Sequence, residues 1–386
     1  YSSIIQDSIG YIHFDTFTEN GAQEVRKTVV DLKNRGAKSL ILDLRGNGGG
    51  ILEEAVRIVN IFVPKGQKVV STKGKVKQWD RVVQTIEQPV DTVMPLVVLI
   101  DNASASASEI VAGTLQDLDR GVIIGNRSFG KGLVQTVREL PFGSSLKVTT
   151  SKYHIPSGRS LQALNYTHRN PDGSVGRIPD SLTTIFHTKN GREVRDGGGI
   201  TPDITIEQTS PGTISFYLIN ENVIFNYATL WVQNAKSISS VEEFNYSDED
   251  YEGFKEYVKS LDFEYDRISE ERLKLLSEVM EFEGYMETAE AEFKALEAKL
   301  TPNLDRDLDT FKDEIKGLIS SEIVKRYHYK KGAIQERLKR DEVFDKAVEV
   351  LQDNIVYTQT LQPKPKNMPS AEEIKEKTKK QYAKEK

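Results

Sequence analysis

Two short segments hold residues whose types and order could carry acyl transfer, and a third could assist them. Residues 104–109 read S-A-S-A-S-E, directly after an apolar run at 96–100 and at the start of a helical pattern over 107–118. A serine at a helix N-terminus meets the positive end of the dipole and lies beside N–H groups that have no intrahelical acceptor. It can act as a nucleophile there, or as a plain N-cap. The residues alone do not choose among Ser104, Ser106 and Ser108. A serine nucleophile needs a base. The histidines His13, His154, His168, His187 and His328 sit in no recognised triad setting, and a G-x-S-x-G elbow is missing. Lysine is the other option, provided it is neutral, and burial among apolar groups disfavours its charged form. Lys131, between Gly130 and Gly132 and between the apolar runs 122–124 and 133–134, is expected to be pressed into the core. Gln135 could orient a neutral amine, whereas a carboxylate against it, with Glu109 the candidate, would hold it charged. The third segment is Gly48-Gly49-Gly50, a run that costs backbone entropy. Such a run suits a turn that bares N–H groups, as an oxyanion site does. A tight turn without chemistry is the plainer use.

Two glycine-rich patterns mislead. Residues 125–132, G-N-R-S-F-G-K-G, nearly spell a phosphate-binding loop, but Gly132 stands where a magnesium-holding hydroxyl is needed, and the next residues alternate like a strand. The turn at 46–50 lacks the third glycine of a dinucleotide fingerprint, because position 51 is Ile.

The elements that must position these segments follow from periodicity. Strand patterns at 9–14, 39–44, 96–100 and 121–124 alternate with helical patterns at 22–34, 51–63 and 107–118, which implies crossover units and a largely parallel sheet. Two-residue alternation from 133 to 153 predicts a hairpin turning near 142–144, and residues 156–212 read as loops and short strands with a hairpin turn at Asn190-Gly191. After Pro211 the character changes. Helices are expected at 270–300, 304–327 and 334–361, with Leu308, Phe311, Ile315, Ile319 and Ile323 at helical spacing. The expected domains are 1–212, a catalytic core; 213–362, a helical domain; and 363–386, a charged tail with the composition of a solvated or disordered end.

Composition excludes several classes. The 386 residues suit two or three domains. A net charge of -6 gives no global basic field for nucleic acid. Cysteine is absent, which excludes disulfide frameworks, thiolate zinc sites and a cysteine nucleophile. No run of apolar residues is long enough to span a bilayer. The start at Tyr1, without Met or a signal peptide, reads as a processed or trimmed chain with any targeting segment upstream.

Taken together, L-I-L-D-L-R-G-N-G-G-G (40–50), S-A-S-A-S-E-I-V-A-G (104–113), G-N-R-S-F-G-K-G-L-V-Q (125–135), Y-H-I-P-S-G-R (153–159) and D-G-G-G-I-T-P-D (196–203) resemble the carboxyl-terminal processing, or tail-specific, proteases. The resemblance spans about residues 8–205. It implies an α/β, crotonase-like (ClpP/crotonase-type) core followed here by a mostly helical C-terminal domain. It also implies a serine endopeptidase cutting proteins in or near their C-terminal regions. The family's nucleophile falls on Ser106, its lysine base on Lys131, twenty-five residues later, and its orienting glutamine on Gln135. The oxyanion donors fall on the backbone N–H groups of Gly50 and Ala107, with Gly49 as an alternative. No metal or cofactor is required. The implied partners are polypeptides with accessible C-terminal tails; the helical residues lie outside the resemblance, and a lid, a self-association contact and an adaptor platform all stand open for them. The implied location is the periplasm or another extracytoplasmic compartment. Members usually carry a PDZ domain before this core; here it was cut away or is lacking. Two other readings stand beside this one: an inactive peptide-binding or scaffold relative, and an acyl-thioester enzyme, which would leave Ser106 and Lys131 without a role.

Overall fold

The computed structural model describes residues 1–6, 8–170, 172–207, 211–234, 237–238, 240–265, 268–300 and 303–363. The chain divides into two compact units, one formed by residues 1–207 with 342–386 and the other by residues 208–341.

The first unit opens with β1 (Ser2–Ile5) and β2 (Ile9–His13), followed by α1 (Gly21–Asn34), β3 (Ser39–Asp43) and α2 (Leu52–Phe62). Then come β4 (Lys68–Gly74), β5 (Arg81–Gln84), β6 (Leu96–Ile100), α3 (Ala107–Asp117) and β7 (Val122–Gly125). Among the described residues the main sheet has the order β1-β2-β3-β6-β7 and ends on β14 (Ile204–Thr205). All its pairs are parallel except β1 with β2. Strands buried on both faces read as near-continuous apolar runs; β6 (LVVLI) and β7 (VIIG) do so, and β3 (SLILD) does so between its buried polar ends Ser39 and Asp43. In α1 the stripe Ala22, Val25, Val29 and Leu32 is buried, whereas every residue of α3 is buried, which places that helix inside the core.

A second, antiparallel sheet runs β5-β4-β9-β8, built from β8 (Leu133–Glu139) and β9 (Ser145–His154), which turn through Pro141–Gly143 as the alternation predicts. The periodicity gave no strand over residues 68–84, where β4 and β5 lie. Short ribbons complete the unit: β10 (Leu164–Arg169) with β11 (Val175–Arg177), and β12 (Ile185–His187) with β13 (Glu193–Arg195), the latter pair turning at Asn190-Gly191.

The second unit holds α4 (Thr213–Asn220), α5 (Val223–Asn234), α6 (Asp248–Lys259), α7 (Ile268–Glu283), α8 (Met286–Leu300), α9 (Leu304–Thr310) and α10 (Lys312–Leu338). Its core joins Ile214, Leu218, Tyr251, Phe254 and Val258 to Leu308, Ile315, Ile319 and Ile323, four members of the stripe expected from the sequence. The single helix expected over 270–300 is two. Gly284, at φ 78, ends α7 in the left-handed conformation that glycine adopts freely, and the Tyr285 N–H closes back on the Met280 carbonyl at 2.9 Å.

The expected boundary at 362 also moves. Helices α11 (Glu342–Gln352) and α12 (Asn354–Thr360) group with the first unit. Helix α11 packs on β6 and β7, Phe344 meets the Tyr11 ring edge-on at 5.5 Å, and the Leu96 N–H donates to Tyr357 Oη at 3.0 Å. Asp353 caps α12 through the Ile355 and Val356 N–H groups, which splits the helix expected over 334–361. The tail expected at 363–386 lies, apart from Pro363, outside the described residues. The α/β core and mostly helical second domain expected from the sequence are the architecture observed.

Candidate active site

Ligand and substrate sites in parallel sheets gather at the carboxyl ends of the strands. Here the carboxyl ends of three neighbouring strands, β3, β6 and β7, feed the three segments singled out above.

After β6 the chain turns through Asp101. Its carboxylate accepts the N–H groups of Ala103 and Ser104 and, from the neighbouring turn, that of Gly46 at 3.0 Å. Ser104 and Ser108 are fully buried, and their hydroxyls are used: Ser104 Oγ donates to the Leu44 carbonyl at 2.9 Å and Ser108 Oγ to the Asn47 carbonyl at 2.8 Å. Ser106 alone of the three is half-exposed. Its backbone has φ 57 and ψ -112, outside the regions that side-chain-bearing residues favour, so the surrounding bonds must hold it there.

The glycine turn lies against this serine. Gly49 has φ 101, and a Cβ on it would stand 2.8 Å from Ser106 Cβ and 2.9 Å from the Ala107 nitrogen. Asn47 organises the turn. Its Nδ2 donates to the Phe14 carbonyl at 2.7 Å, and its Oδ1 accepts the Gly49 N–H at 2.9 Å. Gly49 is therefore not a free donor. The N–H groups of Gly50 and Ala107 have no acceptor among the described residues. Sequence reading passed over Asn47, whose only signal is a polar residue inside a glycine run.

Below the turn, buried Asp43 accepts Tyr11 Oη at 2.7 Å and the Arg45 guanidinium through Nε at 2.9 Å and Nη2 at 2.7 Å. Burial alone would raise the Asp43 carboxyl; the bonds from His13, Arg45 and Tyr11 outweigh it and hold the group well below the usual carboxylate range.

Beyond β7, residues 126–132 cross to β8. The loop enters a strand rather than a helix, so it does not form the phosphate site its glycines imitate. The expectation that Lys131 is pressed into the core is not met. Gly130 and Gly132 are buried, but Lys131 itself is exposed, as is Gln135 on β8. Among the described residues no hydrogen bond or ion pair engages Lys131 Nζ, and none joins it to Ser106 Oγ or to Gln135. The loop's glycines lower its bulk, while its lysine points outward.

What the structure does bring together is main chain. Glu109, fully buried on α3, accepts the Ser106 N–H at 2.8 Å and the Lys131 N–H at 2.9 Å on Oε2. On Oε1 it accepts the Gly130 N–H at 2.7 Å and Ser128 Oγ at 2.6 Å. Burial pushes the Glu109 carboxyl up, and the bonds from Ser128, Lys131, Ser106 and Gly130 oppose that rise. The carboxylate is spent on three backbone N–H groups and the Ser128 hydroxyl and forms no ion pair with the Lys131 ammonium. Tyr153, whose phenol burial and the Glu109 charge push up, donates to the Lys131 carbonyl, and Gln162 Oε1 accepts the Gly132 N–H at 2.9 Å.

At the far end of α3, Arg159 forms an ion pair with Asp117 at 2.9 Å and donates to Gln116 Oε1 at 2.7 Å. Arg192 holds Asp119 and Asp203. These ties anchor the motifs at 153–159 and 196–203 to the helix that carries Ser106.

Comparison with known proteins agrees with this architecture. Residues 8–172 match the description of peptidase family S41, and residues 214–351 match the C-terminal helical domain of a probable PDZ-protease. The S41 match covers residues 8–172, less than half of the chain. A carboxy-terminal-processing protease of Bartonella bacilliformis is 40% identical over 170 residues, covering 42% of this chain and 38% of that protein. The chloroplastic C-terminal processing peptidase of Tetradesmus obliquus is 37% identical over 180 residues, covering 46% of this chain and 37% of that one. Each match spans well under half of the relative's length. Among solved structures, a photosystem II D1 C-terminal processing protease aligns with 30% identity and a TM-score of 0.40, over 52% of this chain and 42% of that one. No helix among the described residues is long and apolar enough to cross a membrane.

Proposed function

We propose that the chain is a serine endopeptidase that cleaves polypeptides in or near their C-terminal regions by acyl transfer. The observation that carries this reading is the setting of Ser106. It is the accessible serine of its segment, at the N-terminus of α3 and against the Gly49 turn, and the N–H groups of Ala107 and Gly50 that follow these two residues have no acceptor among the described residues. Ser106 Oγ attacks the scissile carbonyl carbon and passes its proton to a neutral Lys131 Nζ. The carbonyl oxygen gathers charge between the Gly50 and Ala107 N–H groups. Lys131 gives the proton to the leaving amine as the C–N bond breaks. Water then attacks the acyl-enzyme ester; Lys131 takes the water's proton and returns it to Ser106. Gln135 orients the amine.

Because Lys131 is exposed and no hydrogen bond joins its Nζ to Ser106 Oγ among the described residues, this arrangement is a resting one. Chemistry requires the side chain to swing inward, and a bound peptide supplies the cover that excludes water. The family resemblance supports a working location outside the cytoplasm. The same exposed lysine is also what a peptide-binding relative without turnover would present.

Cleavage of casein and of peptides with apolar C-termini separates the two readings. The parent is expected to cut, and S106A and K131A each to lose on the order of 10³-fold or more in kcat. A parent that neither cuts these substrates nor reacts with a fluorophosphonate at Ser106 establishes the binding relative instead.

A further inference from the structure

We propose that Glu109 is the positioning residue of the site: its one buried carboxylate sets the main chain of the nucleophile against the main chain of the base. This rests on the Ser106/Lys131 reading above. The bond from the Ser106 N–H to Glu109 is half of an ordinary capping box and by itself would call for nothing more than helix capping. The other three bonds do not belong to a cap. They come from Ser128, Gly130 and Lys131, on the loop beyond β7.

One oxygen, Oε2, receives both Ser106 N–H and Lys131 N–H, so the two nitrogens can lie no further apart than those two bonds laid end to end. The carbonyl side of Lys131 is fixed separately by Tyr153, and the next residue by Gln162. Ser128 Oγ also accepts the Ile200 N–H at 2.7 Å, which ties the loop to the 196–203 motif. With the Lys131 backbone held on both sides, only its own side-chain torsions remain to bring Nζ to Ser106 Oγ.

The residue type matters. A carboxylate offers about four acceptor positions and no donor, and here all the groups facing it are donors. An amide has one acceptor oxygen and would turn its NH₂ toward one of the two donor pairs. Burying a charge is costly unless it is fully bonded, and a helix cap alone would not need it.

The test is E109Q in the full chain, read by peptide cleavage and by the rate at which a fluorophosphonate labels Ser106. With its oxygen toward the Ser106 and Lys131 N–H groups, the substituted amide would leave the Gly130 N–H facing an NH₂ group. Expected is a loss of about 10–100-fold in kcat with KM unchanged, and an equal slowing of labelling. In a K131A background the same substitution should slow labelling no further, because its effect passes through the base. An E109Q enzyme within about twofold of the parent, or an equal loss with and without Lys131, overturns the proposal, the second outcome leaving Glu109 a structural cap. If S106A and K131A still cleave, it is the dyad reading that fails. E109Q neutral beside inactive S106A and K131A fails this proposal alone. Should E109Q not fold, S128A removes one donor from the same carboxylate; a kcat loss of several-fold at unchanged KM is expected, and no loss overturns the proposal.

Discussion

Adjacent glycines in the turn beside Ser106 should respond to alanine in opposite ways. Gly48 has nothing within 4 Å of an added Cβ, and its backbone lies in ordinary φ space. G48A should therefore stay within about 0.5 kcal/mol of the parent. Gly49 has φ 101, and its added Cβ would meet the Ala105 carbonyl oxygen at 2.7 Å, Ser106 Cβ at 2.8 Å and the Ala107 nitrogen at 2.9 Å. A left-handed backbone costs a side-chain-bearing residue about 1–2 kcal/mol. Overpacking against atoms that cannot rotate away adds about 1–3 kcal/mol. G49A should lose ~2–5 kcal/mol in all, and the only relief is to push the Ser106 turn outward, so fluorophosphonate labelling should slow with it. Because the chain has two units, the stability readout must belong to the first. Trp79 lies there and Trp231 in the helical unit, so urea unfolding followed by fluorescence in a W231F background reports on the core. A G49A loss under about 1 kcal/mol, or a G48A loss as large as that of G49A, would refute the account of the turn.

Two further substitutions test the supports of the site. Asp43 is held below its ordinary range, so its contribution is present above the unfolded value of 3.8 and is lost as pH falls from there toward the folded value. D43N should cost about 3–5 kcal/mol near neutral pH, and the gap from the parent should close progressively below pH 3.8; a gap unchanged in acid urea titrations would contradict the assignment. Arg159 is 1% exposed and pairs with Asp117, which is buried too. R159M should cost about 3–5 kcal/mol by leaving that carboxylate uncompensated, and adding D117N should recover much of the loss. Additive losses in the double-mutant cycle would show that the pair is not coupled.

Local pattern carried most of the core and less of the site. The short apolar runs at 40–44, 96–100 and 122–124, each bounded by turn residues, fit strands buried on both faces, and three parallel strands stand there. The choice among Ser104, Ser106 and Ser108 was closed to local reading, because it depends on carbonyls about sixty residues away at Leu44 and Asn47. Lys131 misled for a related reason: buried glycines on either side report on the path of the backbone, whereas the direction of a side chain is set by what the loop packs against. Glu109 was legible as a carboxylate worth checking, but its partners proved to be backbone N–H groups and the Ser128 hydroxyl rather than the ammonium. For α11, periodicity in Val343, Phe344, Ala347 and Val348 shows that one face is apolar and is silent on which unit receives it.

That last placement makes the helical unit an insertion rather than an appendage. Residues 208–341 leave the core and the chain comes back to it, with α11 and α12 completing the packing of strands laid down much earlier. Synthesis runs in one direction, so Ser106 and Lys131 emerge before the helical unit, while the helices that pack on the core strands emerge only after it. The core stays unfinished until the whole helical unit has been made. A chain cut anywhere between residue 207 and α11 would carry every residue of the proposed site and still lack part of the core that holds it.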